Sequence, residues 1–192
     1  DGRPAGTDGF RKRVLYVGTE VLGEELIGRA VDQPDIDDPR LLRELDRVHR
    51  AVADLRDPLA AESTFALATE RLRRHLGAAP ADPDIAAEDL IASHLRDLLD
   101  AHRFEPMTLA EAGRILHVSP AHLVRCFTRT FGIAPHRYVV GRRIEAARHR
   151  LLGGEPIAQV ATGVGFHDQA HLTRHFKRHV GTTPARYASS AA

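Results

Sequence analysis

The chain has 192 residues, of which 43% are hydrophobic and 28% charged. That is the composition of one or two folded globular domains, not of a disordered segment. No apolar run approaches the roughly 18 residues of a membrane span, and no charged-then-apolar start reads as a signal peptide. A single cysteine, Cys126, excludes an internal disulfide framework and fits a reducing compartment, so a cytoplasmic protein is expected.

The net charge of +1 conceals a division. Residues 1–100 carry 14 Arg and Lys against 21 Asp and Glu, whereas residues 101–192 carry 13 against 5, together with nine of the twelve histidines. An acidic half joined to a basic half predicts two jobs, and the basic half is the one that attracts polyanions.

From the start, Val14, Leu15, Tyr16 and Val17 form a short apolar run between Gly9 and Gly18, which suits a strand. A lone strand is not stable, so its partners are expected upstream of Asp1. Asp38-Pro39 and Asp57-Pro58 each place a capping residue before a proline at the first helical position. Leu41, Leu42, Leu45, Val48, Val52 and Leu55 follow the first at helical spacing; Leu59, Phe65, Ala66, Leu67, Leu72 and Leu76 follow the second. Two helices joined this tightly form a hairpin that must bury a stripe, against the rest of a sensor unit or against a second copy of the chain through residues 40–76.

Residues 77–84, with two prolines and no large apolar side chain, read as a linker. Helices are expected near 86–102, 108–115, 119–131, 135–152, 157–163 and 168–179, with a short turn near 184–188. The domain division is then 1–76, a linker at 77–85, and 86–190.

The basic half repeats itself. Residues 119–138 and 168–187 are identical at ten of twenty positions at an offset of 49. The identities include His122/His171, Leu123/Leu172, Arg125/Arg174, Phe127/Phe176 and Tyr138/Tyr187. Each copy reads as a helix-turn-helix unit. Leu109, Ala112, Ile115 and Leu116 supply the apolar stripe of the first, and Ile157, Val160, Ala161 and Val164 that of the second. Gly165 permits the second turn, and Ser119 and Asp168 cap the longer helices. Leu123, Phe127 and Phe131 face inward, as do Leu172, Phe176 and Val180.

The opposite faces suit DNA. On the first lie Pro120, Ala121, His122, Val124, Arg125, Thr128 and Arg129; on the second, His167, Gln169, Ala170, His171, Thr173, Arg174, Lys177 and Arg178. Arg reads guanine and Gln reads adenine through paired hydrogen bonds, Thr and Ala meet the thymine methyl, and further cations neutralise phosphates. The joining helix, 135–152, is about 27 Å long at 1.5 Å per residue. With its turns it could set two reading helices about one duplex turn, ~34 Å, apart.

Residues 86–190, and above all 157–187 (IAQVATGVGFHDQAHLTRHFKRHVGTTPARY), resemble the AraC/XylS family of bacterial transcription regulators. The resemblance implies a mainly α, homeodomain-like domain with two helix-turn-helix motifs joined by a long helix. It implies that Arg125 and Arg174 enter adjacent major grooves, and that the protein activates transcription, less often represses it, with RNA polymerase as a partner. Residues 1–76 resemble the end of a cupin-like sensor domain, which implies a small-molecule effector and dimerisation. Gly163, Ala121, Val124 and His167 depart from the family's usual residues. Gly163 is expected to weaken its helix slightly.

His167, His171, His175 and His179 recur every four residues, a spacing at which neighbours can share a metal. Because His171 repeats His122 and His167 precedes a cap, no metal is assigned. Cys126 could serve a DNA-repair enzyme as a reactive thiol, but beside inward-facing Leu123 and Phe127 it is expected to be buried and inert. No G-x-G-x-x-G, P-loop or G-x-S-x-G occurs, so no catalytic residue and no cofactor are expected. A DNA-binding adaptor without an effector is the remaining alternative.

Overall fold

The computed structural model describes residues 14–23, 26–32, 35–54, 56–77 and 84–189. Their order is α1 (Thr19–Leu22), α2 (Ile27–Asp32), α3 (Pro39–Val52), α4 (Pro58–His75), α5 (Ile85–Ala101), α6 (Leu109–Leu116), α7 (Pro120–Phe131), α8 (Pro135–Leu152), α9 (Ile157–Gly163), α10 (Gln169–Val180) and α11 (Pro184–Ser189). Among the described residues no helix is long and apolar enough to cross a membrane. None of them is in a strand either. Residues 14–17 belong to no regular element, with Val14 and Tyr16 exposed, so the expected strand is absent among the described residues: without a neighbour to bond it, a single segment does not make a sheet. Gly9, Leu55 and residues 78–83 of the expected linker lie outside the described residues.

The helix starts are set by side chains that accept from first-turn amides. Asp38 accepts from Arg40 N–H at 2.8 Å, Asp57 from Ala60 N–H at 3.0 Å and Asp168 from His171 N–H at 2.6 Å. Thr108 and Glu111 form a reciprocal capping box on α6. Asp38 has a second task. Arg71 Nε and Nη2 donate to it at 2.5 and 3.1 Å, and His75 Nε2 lies 2.6 Å away, so one buried carboxylate both starts α3 and fastens it to α4. Leu41 and Val48 are buried under this hairpin, but Leu42 and Val52 are exposed. The expected stripe is therefore narrower than the spacing suggested, because α3 meets α4 along one edge only.

Two apolar cores follow. The first gathers Leu59 and Ala66 of α4 with Leu95, Leu99, Leu109, Ala112, Leu123, Val124, Phe127 and Val139. The second gathers Val140, Ile144, Ala147 and Leu151 of α8 with Val160, Ala161, Val164, Phe166, Leu172 and Phe176. Consecutive residues of α8, Val139 and Val140, thus belong to different cores, and this helix is the joint between the repeats. The repeat is visible in the rings: Phe127 and Tyr138 stand 5.5 Å apart at 67°, and their counterparts Phe176 and Tyr187 stand 5.4 Å apart at 63°. Ile115, expected inward, is exposed, because the short α6 covers its core with Leu109, Ala112 and the half-buried Leu116.

Two glycines allow close approach. Gly165 has φ +85°, and a side chain there would meet the Phe104 carbonyl and Arg143, whose guanidinium donates to the Arg103 and Glu105 carbonyls at 2.5 and 3.0 Å. At Gly163 a Cβ would strike the Arg150 guanidinium, which is paired with Glu155 at 2.6 Å. The poor helix former at 163 thus makes room for an ion pair.

Leu172 is fully buried, and Leu172→Asp places an unpaired charge in the second core. Amide exchange should show protection lost across 140–188 and kept across 85–139. Retained protection in both would mean that the cores are not separate. Arg71 and then His75 hold the Asp38 carboxyl well below its ordinary 3.8. Its stabilisation is therefore complete above that value and is lost as pH falls through the lower folded value. Asp38→Asn should lower Tm at neutral pH and flatten the acid limb of the Tm–pH curve; parallel curves would deny the pairing.

Candidate nucleic-acid interface

Helices α7 and α10 are the second helices of the two units. On α10 the capping Asp168 fixes the first turn, and burial of Leu172 and Phe176 turns the opposite side outward. Gln169, Ala170, Arg174, Lys177 and Arg178 are exposed, as is His167 just before the cap. Thr173 is half-buried, its hydroxyl donating to the Gln169 carbonyl at 2.8 Å. His171, expected on the outward face, is 3% exposed, with its ring edge-on to Phe166 at 5.3 Å, so it lines the core side.

On α7, Pro120, Ala121 and Arg129 are exposed, and His122, Arg125 and Thr128 half-buried. Val124, also expected outward, is 1% exposed and belongs to the first core. The reason is α4, which lies across this face and leaves a cleft of about 330 Å³ lined by Ala66, Leu67, Glu70, Arg74, Ala121, Val124, Arg125, Thr128 and Arg129. The apolar residue at 124 that looked weak as a base reader is a packing residue for the hairpin.

The acidic residues on these faces went unassigned in the sequence. Arg125 lies 3.8 Å from Glu70 of α4 and 3.9 Å from Glu88 of α5. Arg129 pairs with Glu88 at 2.6 Å, and His122 lies 3.8 Å from it. Arg174 donates to Asp54, between α3 and α4, at 2.7 Å. Arg56 pairs with Asp54 at 2.9 Å and lies 3.8 Å from Asp168. Arg56 and then Arg174 hold the Asp54 carboxyl far below its usual range. Side-chain exposures of 40% for Arg125 and 52% for Arg174 show that neither guanidinium is interred. Arg174 is hydrogen-bonded to its carboxylate and Arg125 lies within ion-pair range of two. The only sequence signal for this was the excess of Asp and Glu before residue 100.

Cys126 is buried, as expected, and burial with the nearby Glu88 charge pushes its thiol up to about 11. At 0% exposure it packs as a small apolar side chain.

Residues 112–190 match a helix-turn-helix domain family. The HTH-type transcriptional regulator YbfI of Bacillus subtilis is 31% identical over 132 residues, 69% of this chain and 48% of that protein. The C-terminal domain of AraT, a response regulator from Geobacillus stearothermophilus, superposes with a TM-score of 0.50 at 28% identity, covering 52% of this chain and 84% of that one. A transcriptional regulator from Chromobacterium violaceum with an AraC-type DNA-binding domain shares the fold, with a TM-score of 0.50 at 24% identity over 56% of this chain and 96% of that one. The chain spans about half the length of the curated relative named here. Its basic half is a helix-turn-helix domain with the fold of AraC-type DNA-binding domains.

Proposed function

We propose that this chain is a transcription regulator that binds duplex DNA sequence-specifically, with α7 and α10 in successive major grooves, and that the acidic α3–α4 hairpin competes with DNA for them. The observation that carries this reading is that Arg125 and Arg174, equivalent in the repeat, are both reachable from solvent and both engaged by carboxylates of α4 or its preceding loop. On α10 the readers are Gln169, Ala170, Thr173 and Arg174, with Lys177 and Arg178 for phosphates. On α7 they are Arg125 and Ala121, with Thr128 once α4 has moved aside; Pro120, His122 and Arg129 lie at the phosphate margin.

Competition fits the magnitudes. Exposed ion pairs are each worth ~0–1 kcal/mol and baring Val124 adds the ~1.5–3 kcal/mol of a buried aliphatic side chain, whereas specific complexes reach dissociation constants of about 10⁻⁸ M or tighter, so a matching duplex can displace the hairpin. Any effector that moves the hairpin raises apparent affinity by the fraction of molecules it frees. Cytoplasmic location, activation through contact with RNA polymerase and a small-molecule effector complete the proposal from the family resemblance. Exposed Leu42 and Val52 on α3 support self-association through the hairpin. The buried, weakly acidic thiol of Cys126 favours regulation over repair chemistry.

Binding sites selected from random duplexes provide the probe. Arg174→Ala should lose about 1–3 kcal/mol of discrimination at one base pair; an equal loss on every duplex would make Arg174 a phosphate contact. The double variant Asp54→Asn, Glu70→Gln should bind the selected duplex several-fold more tightly, with log affinity still falling linearly with log salt. Unchanged or weaker binding would show that the hairpin does not compete.

A further inference from the structure

The loop between α3 and α4 also meets α10 at a cluster that DNA reading leaves unused. Asp57, His171 and His175 each offer one ligand atom, and the three atoms lie within 4.8 Å of one another. The histidines are one turn apart on the same face of α10. Asp57 caps α4 through one oxygen, and its other oxygen makes no hydrogen bond among the described residues. His171 is only 3% exposed, and its Nε2 is buried without a hydrogen-bond partner. Buried polar atoms are almost always bonded, so an orphaned ring nitrogen in this cluster points to a ligand.

We propose that Asp57, His171 and His175 form a site for a divalent transition metal, zinc being the best fit, which pins the acidic hairpin to the second reading helix. Two imidazoles and a carboxylate are a zinc donor set, leaving one position for water. Donors around tetrahedral zinc sit about 3.4 Å apart, so the present separations close with small side-chain rotations. The competing cation, Arg174, is turned toward Asp54. The His167 amide donates to His171 Nδ1 at 3.4 Å; metal at Nε2 puts the ring proton on Nδ1, so that long bond has to open when the site fills.

The repeat supplies an internal control. Glu88, His122 and Cys126 form the equivalent cluster in the first unit, but there Arg129 pairs with Glu88 at 2.6 Å. His122 Nε2 is orphaned there as His171 Nε2 is here, so the cation beside the carboxylate is what separates the two clusters. The site stands without the DNA-binding reading, whereas its value as a switch rests on that reading.

The test uses the full chain and zinc chloride without DNA, so its failure is separate from any failure to bind DNA. Calorimetry should give one zinc per chain, weakened at least tenfold by Asp57→Asn and by His175→Ala and unaffected by His122→Ala and Cys126→Ser. Magnesium should not bind. Zinc should slow amide exchange across residues 58–75 in the parent chain and leave it unchanged in His175→Ala. Absence of saturable binding, affinity insensitive to Asp57→Asn and His175→Ala, or loss of affinity in His122→Ala would overturn the site. Unchanged exchange in the zinc-loaded parent would overturn the pin.

Discussion

Helix α4 and the first reading helix share one apolar seam. Leu59 and Ala66 sit in the same core as Val124 and Phe127, so α7 is packed on both sides, against its own unit and against the hairpin. A helix in that position keeps its register and its caps, but its reading face is not bare. Exposing that face means giving up apolar burial at Val124 as well as the loose pairs around Arg125. Helix α10 is less covered: Gln169, Ala170 and Lys177 are exposed, and the hairpin loop reaches this end of the molecule through Asp54, Arg56 and Asp57. The two halves of the proposed DNA contact are therefore unequal at rest.

The carboxylates divide by what they hold. Glu88 belongs to α5 and is largely buried against Arg129, so it positions that guanidinium as part of the domain. Asp54 and Glu70 belong to the hairpin and face half-exposed guanidinium groups. Their hold is weak individually and sensitive to salt. A polyanion satisfies the same guanidinium groups at higher charge density, which makes exchange of one set of anions for another the natural step between the resting and the bound forms.

Much of this was legible in the sequence because it is local. Asp38-Pro39, Asp57-Pro58 and Ser119-Pro120 marked helix starts through capping chemistry that needs no tertiary contact, and the repeat disclosed both units and their inward Leu and Phe residues. The errors concern contacts between distant segments. Val124 and His171 read as outward because spacing defines a face without saying what lies across it; α4 covers one and Phe166 the other. Leu42 and Ile115 read as inward because a helical stripe does not reveal how narrow its partner is. Gly163 looked like a flaw until Arg150 filled the space above it. The meeting of Asp57 with His171, 114 positions later in the chain, has no periodic signature.

The change of core between Val139 and Val140 bears on how DNA spacing is tolerated. Because α8 is gripped at one end by each unit, the angle between the units is fixed by one continuous rod and not by a pliable tether. On the proposed reading, one inserted base pair would swing the second half-site about 34–36° around the duplex, a torsion this rod has no joint to absorb. Helical phase, as much as base identity, would then decide which operators the protein accepts.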